Sequence, residues 1–106
     1  MIVKKDGRRE AFDRQKIMSG VRKACEKRPI STEQMERLVE SIENAVQSNG
    51  HGEVPAETVG EMVMKALQDL DGVAYVRFAS VYRSFREVSD FAEAAKTYTE
   101  KKQRKA

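Results

Sequence analysis

The 106-residue chain carries 20 Lys and Arg against 17 Asp and Glu, a net charge of +3, with 40% hydrophobic and 35% charged residues. That is one soluble domain, long enough to bury a core without staples, and the absence of any apolar run of about 18 residues excludes a transmembrane helix. Cys25 and His51, each the only one of its kind, build neither an internal disulfide nor a structural zinc site, and residues 2–16 are too charged for a signal peptide, so a cytoplasmic protein is expected.

The opening "MIVKK" is short and partly β-branched. Asp6-Gly7 is a strong hairpin signal, because both residues tolerate the positive φ of a type I′ turn. "REAF" (9–12) returns as the second strand, which predicts a hairpin over residues 2–12 with a two-residue turn, Lys5 facing Arg8 and Lys4 facing Arg9. Asp13 offers an N-cap, and Ile17, Val21, Ala24 and Cys25 then fall on one helical face. Pro29 closes that helix at Arg28. Ser31 and Gln34 form a capping box ahead of a stripe of Met35, Leu38, Val39, Ile42 and Val46. "SNGHG" (48–52) ends it, with His51 read as a solvated loop residue and Cys25 as a small buried apolar group.

Glu53-Val54 is placed to add a third strand, and Pro55 suits the start of a third helix with Val59, Val63, Ala66, Leu67 and Leu70 inward. Asp71 caps a fourth helix, "VAYVRFASVYRSF" (73–85), apolar on most sides and therefore central. Ser89 caps a fifth, with Phe91, Ala95 and Tyr98 on one side. The fold expected is α+β: a short N-terminal β-hairpin of two to three strands on a four-to-five-helix bundle. Residues 1–95 form the domain and 96–106 a basic, frayed tail.

Charge is uneven along the chain. Residues 1–28 hold ten Lys or Arg against four acids, residues 29–95 five against twelve, and residues 96–106 five against one. Like charges opposed in a hairpin destabilise it unless an anion sits between them, and a polyphosphate is the natural candidate. The first turn of helix 1 would add N–H groups and a favourable dipole, with Lys16 pointing back at the same place. Glu10 and Asp13 are acceptors for base amino or ribose hydroxyl groups, or for a hydrated Mg²⁺. The alternative is a solvated edge hairpin that carries Lys and Arg to block aggregation. No Walker-type glycine loop and no GxGxxG are present. On helix 4, Tyr82 and Arg86 share a face, whereas Arg77 and Arg83 do not. Tyrosine beside arginine suits base stacking with phosphate pairing. A buried tyrosine with arginines bridging to the acidic helices 2 and 3 is the other reading.

"VKKDGRREAFDRQKI" (3–17) resembles the opening signature of the ATP-cone family, the nucleotide-sensing domain at the N-terminus of many ribonucleotide reductase large subunits. "ACEKRPIS", "EVPAETVGEMVMKAL" and "VAYVRFASVYRSF" are similar to the C-terminal part of the NrdR-type transcriptional repressors of ribonucleotide reductase genes, so the likeness runs from Val3 to Phe91. It implies a hairpin over a helical bundle with nucleotide between them, and binding of ATP or dATP, with Mg²⁺, rather than hydrolysis. It carries nucleotide contact to Val3, Lys4 and Lys5, the turn to Gly7, and further contacts to Glu10, Asp13 and Lys16, with Lys16 a phosphate ligand. At the start of helix 3 the family uses a hydroxyl and a larger polar residue. Ala56 and Gly60 stand there instead, and Gly60 leaves room for a second nucleotide. Tyr82 and Arg83 would contribute from helix 4.

Such repressors carry a four-cysteine zinc ribbon that reads DNA. This sequence has none, so it reads as a cone alone or a truncated relative that self-associates, meets DNA only through such a ribbon, holds no zinc, and engages no membrane. An allosteric cone of a reductase large subunit, a basic DNA-binding module and a purely structural oligomerisation domain are the alternatives. An enzyme is the least favoured, since no nucleophile–base pair is apparent.

Overall fold

The computed structural model describes residues 1–48 and 52–105, the last six by their backbone alone; His51 lies outside the described residues. In chain order the elements are β1 (Ile2–Val3), β2 (Arg9–Glu10), α1 (Arg14–Ala24), α2 (Thr32–Gln47), β3 (Val54–Pro55), α3 (Ala56–Leu70), α4 (Gly72–Tyr82) and α5 (Val88–Lys105). The sheet order is β2-β1-β3, with β1 antiparallel to β2 and parallel to β3. The α+β fold and the third strand are as the sequence predicts.

The hairpin register differs from expectation by one residue. Ile2 pairs with Glu10 and Val3 with Arg9, and the Lys4 N–H donates to the Arg8 carbonyl at 2.8 Å. The connection is therefore Lys5-Asp6-Gly7, a tight turn closed by the Gly7 N–H on the Lys4 carbonyl (2.9 Å), with Gly7 at φ 88°. A turn followed by a left-handed glycine is the three-residue alternative to a type I′ turn, and Asp-Gly serves both. Asp6 selects the longer one: its carboxylate accepts from the Arg8 backbone N–H (3.0 Å) and from Arg8 Nε (2.6 Å). In a strand pair a one-residue slip exchanges the faces. Here it puts Glu10 on the face of Lys4 and turns Arg9 away, to pair with Glu53.

The helices begin where local side chains can cap them. Asp13 accepts from the Lys16 N–H, and Asp71 from the Ala74 N–H. Ser31 and Gln34 form the full reciprocal box. Two expectations at the C-terminal end give way. α4 stops at Tyr82, because the Arg83 cap and the left-handed Ser84 (φ 54°) break the helix, so Arg86 shares no helical face with Tyr82. The start of α5 is held by Asp90, whose carboxylate accepts from the Arg86 and Glu87 N–H groups, rather than by Ser89.

Val21, Val39, Val63, Met64 and Leu67 are almost wholly enclosed and join α1, α2 and α3 in one core. α4 packs on α1, α3 and α5, which makes it central as its composition suggests, although Val73 and Val81 remain exposed. Arg77 on α4 donates to the carbonyls of Ala24 (3.3 Å) and Glu26 (2.6 Å), closing the end of α1 rather than bridging to an acidic helix. Cys25 is buried beside this contact, and burial, then the Asp71 charge, pushes its thiol up, so it stays protonated. Among the described residues no helix is long and apolar enough to cross a membrane.

Candidate functional site

Two adjoining cavities lie where the hairpin meets α1, α3 and α4. The outer one, about 820 Å³, opens between the Lys4–Arg8 turn, the start of α3 and the end of α4. The inner one, about 280 Å³, runs beneath β1 and β2 toward α1 and has an apolar wall of Ile2, Phe12, Ile17, Val59 and Phe78. The outer one falls in the size range of pockets that enclose a small molecule, and the inner one extends it.

The hairpin, two helix starts and one helix end supply the polar groups. Lys4, Glu10, Asp13, Lys16, Gly60 and Tyr82 line the inner cavity, and Lys4, Lys5, Tyr82 and Arg83 line the outer one. Lys4 and Tyr82 border both. Of the ten residues singled out from sequence, eight thus converge on one crevice. Val3 and Gly7 line neither cavity: Val3 faces away from Lys4 in the strand, and Gly7 shapes the turn.

The cations of the hairpin are not opposed without relief. Lys4 pairs with Glu10 at 3.5 Å, Lys5 with Glu57 at 3.6 Å and Arg8 with Asp6 at 2.6 Å, and Arg83 reaches Glu61 at 3.3 Å. An external anion is therefore not needed to make the ribbon stable, contrary to the charge reading of the sequence. These pairs lie in solvent, however, and an exposed pair is worth about 0–1 kcal/mol. Such exposed acids are exchangeable counterions, held weakly in water. Lys16 pairs with no acid among the described residues. At the start of α1 the Asp13 carboxylate already takes the Lys16 N–H (3.1 Å), so this helix end offers an arriving anion fewer open donors than expected.

Gly60 does not stand beside empty space. A Cβ there would lie 2.2 Å from Tyr82 Cζ, so the phenol ring fills the volume that the sequence reading left for a second nucleotide. The Tyr82 hydroxyl donates to the Glu57 carbonyl at 3.1 Å. Burial, and then the charges of Glu61 and Glu57, raise its pKa, which keeps the hydroxyl a donor at neutral pH.

Sequence reasoning missed Phe78 and Gly20. A Cβ on Gly20 would sit 3.4 Å from Phe78 Cε2, and Phe78 stacks with Tyr82 at a centroid distance of 6.2 Å. The signal was the glycine itself, since a glycine inside an amphipathic helix costs stability and marks a close approach. Glu57 and Glu61 were also missed, because nothing local pairs them with the hairpin or with Arg83.

The ATP cone domain model matches residues 1–88. The transcriptional repressor NrdR of Myxococcus xanthus is 57% identical over 100 residues, covering 94% of this chain and 60% of that protein. The protein of the same name from Syntrophus aciditrophicus is 60% identical over 97 residues (92% and 61% of the two chains), and that of Anaeromyxobacter sp. 61% over 90 residues (85% and 58%). The chain thus spans about 60% of the length of the curated relatives it matches. With the matching model covering the hairpin, all of α1 to α4 and the start of α5, this chain belongs to the ATP-cone family.

Proposed function

We propose that this chain binds ATP and dATP in the crevice beneath the hairpin and serves as the sensing domain of a transcriptional repressor of ribonucleotide reductase genes. The observation that carries the reading is the convergence of Lys4, Lys5, Lys16 and Arg83, with the acceptors Glu10 and Asp13, on two adjoining cavities walled by Phe12, Phe78 and Tyr82. Lys4, Lys5 and Lys16 pair phosphates, and Arg83 adds a guanidinium from the end of α4. Glu10 and Asp13 hold ribose, base or a hydrated Mg²⁺ that arrives with the triphosphate. Val3 and Gly7 act indirectly, by setting the pairing and the turn that aim the lysines.

The role is regulatory: nucleotide is bound and not consumed. Its identity changes how helices pack against a second copy, and so the oligomer. DNA is read by a zinc ribbon outside this sequence, and the site of action is the cytoplasm.

Binding to the folded state alone stabilises it by about 2.7 kcal/mol at a hundredfold excess over Kd. ATP or dATP should therefore raise the Tm in a thermal melt, and Lys16→Ala should abolish the shift. A melt unchanged by every nucleotide contradicts the reading.

A further inference from the structure

Two rings from α4 fill the gap between two bare helix surfaces. Phe78 lies against Gly20 of α1, and Tyr82, one turn on, lies against Gly60 of α3, the two rings stacked within 20° of parallel. The contacts are not equal. Around Gly60 a Cβ would fall 2.2 Å, 2.3 Å and 2.6 Å from Tyr82 Cζ, Cε2 and Oη, so the ring rests directly on the α3 backbone. Tyr82 also borders both cavities of the crevice, with Lys4 and Ala56.

Little holds it there. Tyr82 is 38% exposed, whereas Tyr75 on the same helix is 4% exposed. It is the last residue of α4, immediately before the Arg83–Ser84 break. Among the described residues its hydroxyl donates to the Glu57 carbonyl, a solvent-accessible bond that water can replace.

We propose that Tyr82 is an internal stand-in for the base: its ring occupies a flat slot between Gly60 and Phe78, and an adenine enters that slot only by displacing it. This rests on the nucleotide reading above and deepens it. The slot suits a purine because it offers a flat glycine backbone, an aromatic face and an acceptor. The exocyclic amino group of adenine donates to the Glu57 carbonyl as the phenol does. A 6-oxo purine would set an acceptor against that acceptor. Tyr82 thus sets the threshold for binding, and the Glu57 carbonyl it vacates sets the preference for a 6-amino base.

The test is calorimetric titration of the wild type, Tyr82→Phe and Tyr82→Ala with ATP and with ITP, alongside a thermal melt of each. Tyr82→Phe, which keeps the ring and loses the tether, should tighten ATP by about twofold to tenfold, the worth of one hydrogen bond. Tyr82→Ala should tighten it further, and ITP should bind every form more weakly than ATP. Equal or weaker ATP binding by a folded Tyr82→Ala overturns the proposal, as does ITP binding equal to ATP.

Should Tyr82→Ala fail to fold, ring-¹³C tyrosine spectra of the wild type decide. At saturating ATP the Tyr82 signals should move to those of an exposed tyrosine while Tyr75 stays in place. Tyr82 signals that stay put while ATP binds sink this inference alone. Absence of ATP binding by the wild type and both variants sinks the nucleotide reading and this one with it.

Discussion

Two ion pairs stand near opposite ends of α4. At its start, Arg28 meets Asp71 with Nε 3.1 and 3.0 Å from the two carboxylate oxygens, and the side chains are 35% and 8% exposed. Near its end, Lys5 meets Glu57 at 3.6 Å, with side chains 87% and 68% exposed. The chemistry is the same and the physical roles diverge. Asp71 is spoken for: it caps α4, anchors the α1–α2 connection through Arg28, and is almost shut off from water. Lys5 is only lent to Glu57, since water screens the pair and either member can be taken by something better. Enclosure turns an ion pair into a structural joint; exposure leaves it available to a ligand.

The largest effect that would sharpen this contrast is at the closed pair. Asp71→Ala removes an N-cap and strands Arg28, and should cost about 2–3 kcal/mol of stability in a denaturant melt. Where the variant remains folded, its nucleotide affinity should be unchanged. A loss below about 0.5 kcal/mol would erase the distinction, because that is the range of ordinary surface changes.

Acid should find the same joint. Burial alone would raise the Asp71 carboxyl, but the Ala74 N–H and the Arg28 guanidinium outweigh it and hold the group below the usual carboxylate range. A carboxyl depressed on folding contributes stability that is present above its unfolded pKa of about 3.9 and is lost as pH falls through the lower folded value. Asp90 is depressed too, by the Arg86 and Glu87 N–H groups, and acts in the same direction. Stability measured from pH 6 downward should fall on the acid side of pH 4, and Asp71→Asn should flatten that limb. An acid limb identical in the variant would assign the loss to other groups.

The open pair should behave in the opposite way. Lys5→Ala should leave the Tm within the error expected of a surface change, about 0.5 kcal/mol or less, and weaken ATP binding by about tenfold through one lost charge-assisted contact. The smallest effect is that of salt on the two regions. Raising ionic strength from about 0.1 M to 1 M shortens the screening length from about 10 Å to 3 Å, which should weaken nucleotide binding while moving the apo Tm little. A Tm that falls in step with affinity would mean that the hairpin pairs hold the fold together after all.

The sequence made the parts of the fold legible where a side chain acts on its own neighbours. Asp13, Ser31 with Gln34, and Asp71 each cap the backbone within three residues, so their signals are local and all four side chains cap as read. The hairpin was visible and its register was not, because Asp-Gly fits two turns and the choice lay with Asp6 reaching Arg8. The end of α4 was hidden because its helical pattern runs on through Arg86, whereas a left-handed Ser84 stops it.

At the site, the residues that meet in the crevice were visible as a cluster of charge and by their resemblance to a known signature. Their counterions were not. Arg83 and Glu61 lie 22 residues apart, and only the packing of α4 on α3 brings them together. The stacked Phe78 and Tyr82 were likewise a tertiary feature: Gly20 and Gly60 announce close contacts without saying with what.

The claim on which the rest depends is that the cations around this crevice receive an adenine nucleotide. Isothermal titration of the chain with ATP and dATP tests it most directly. Saturable binding of both, lost in Lys16→Ala while the variant still melts cooperatively, is the predicted result. No saturable heat with either nucleotide from a folded wild-type chain would contradict it.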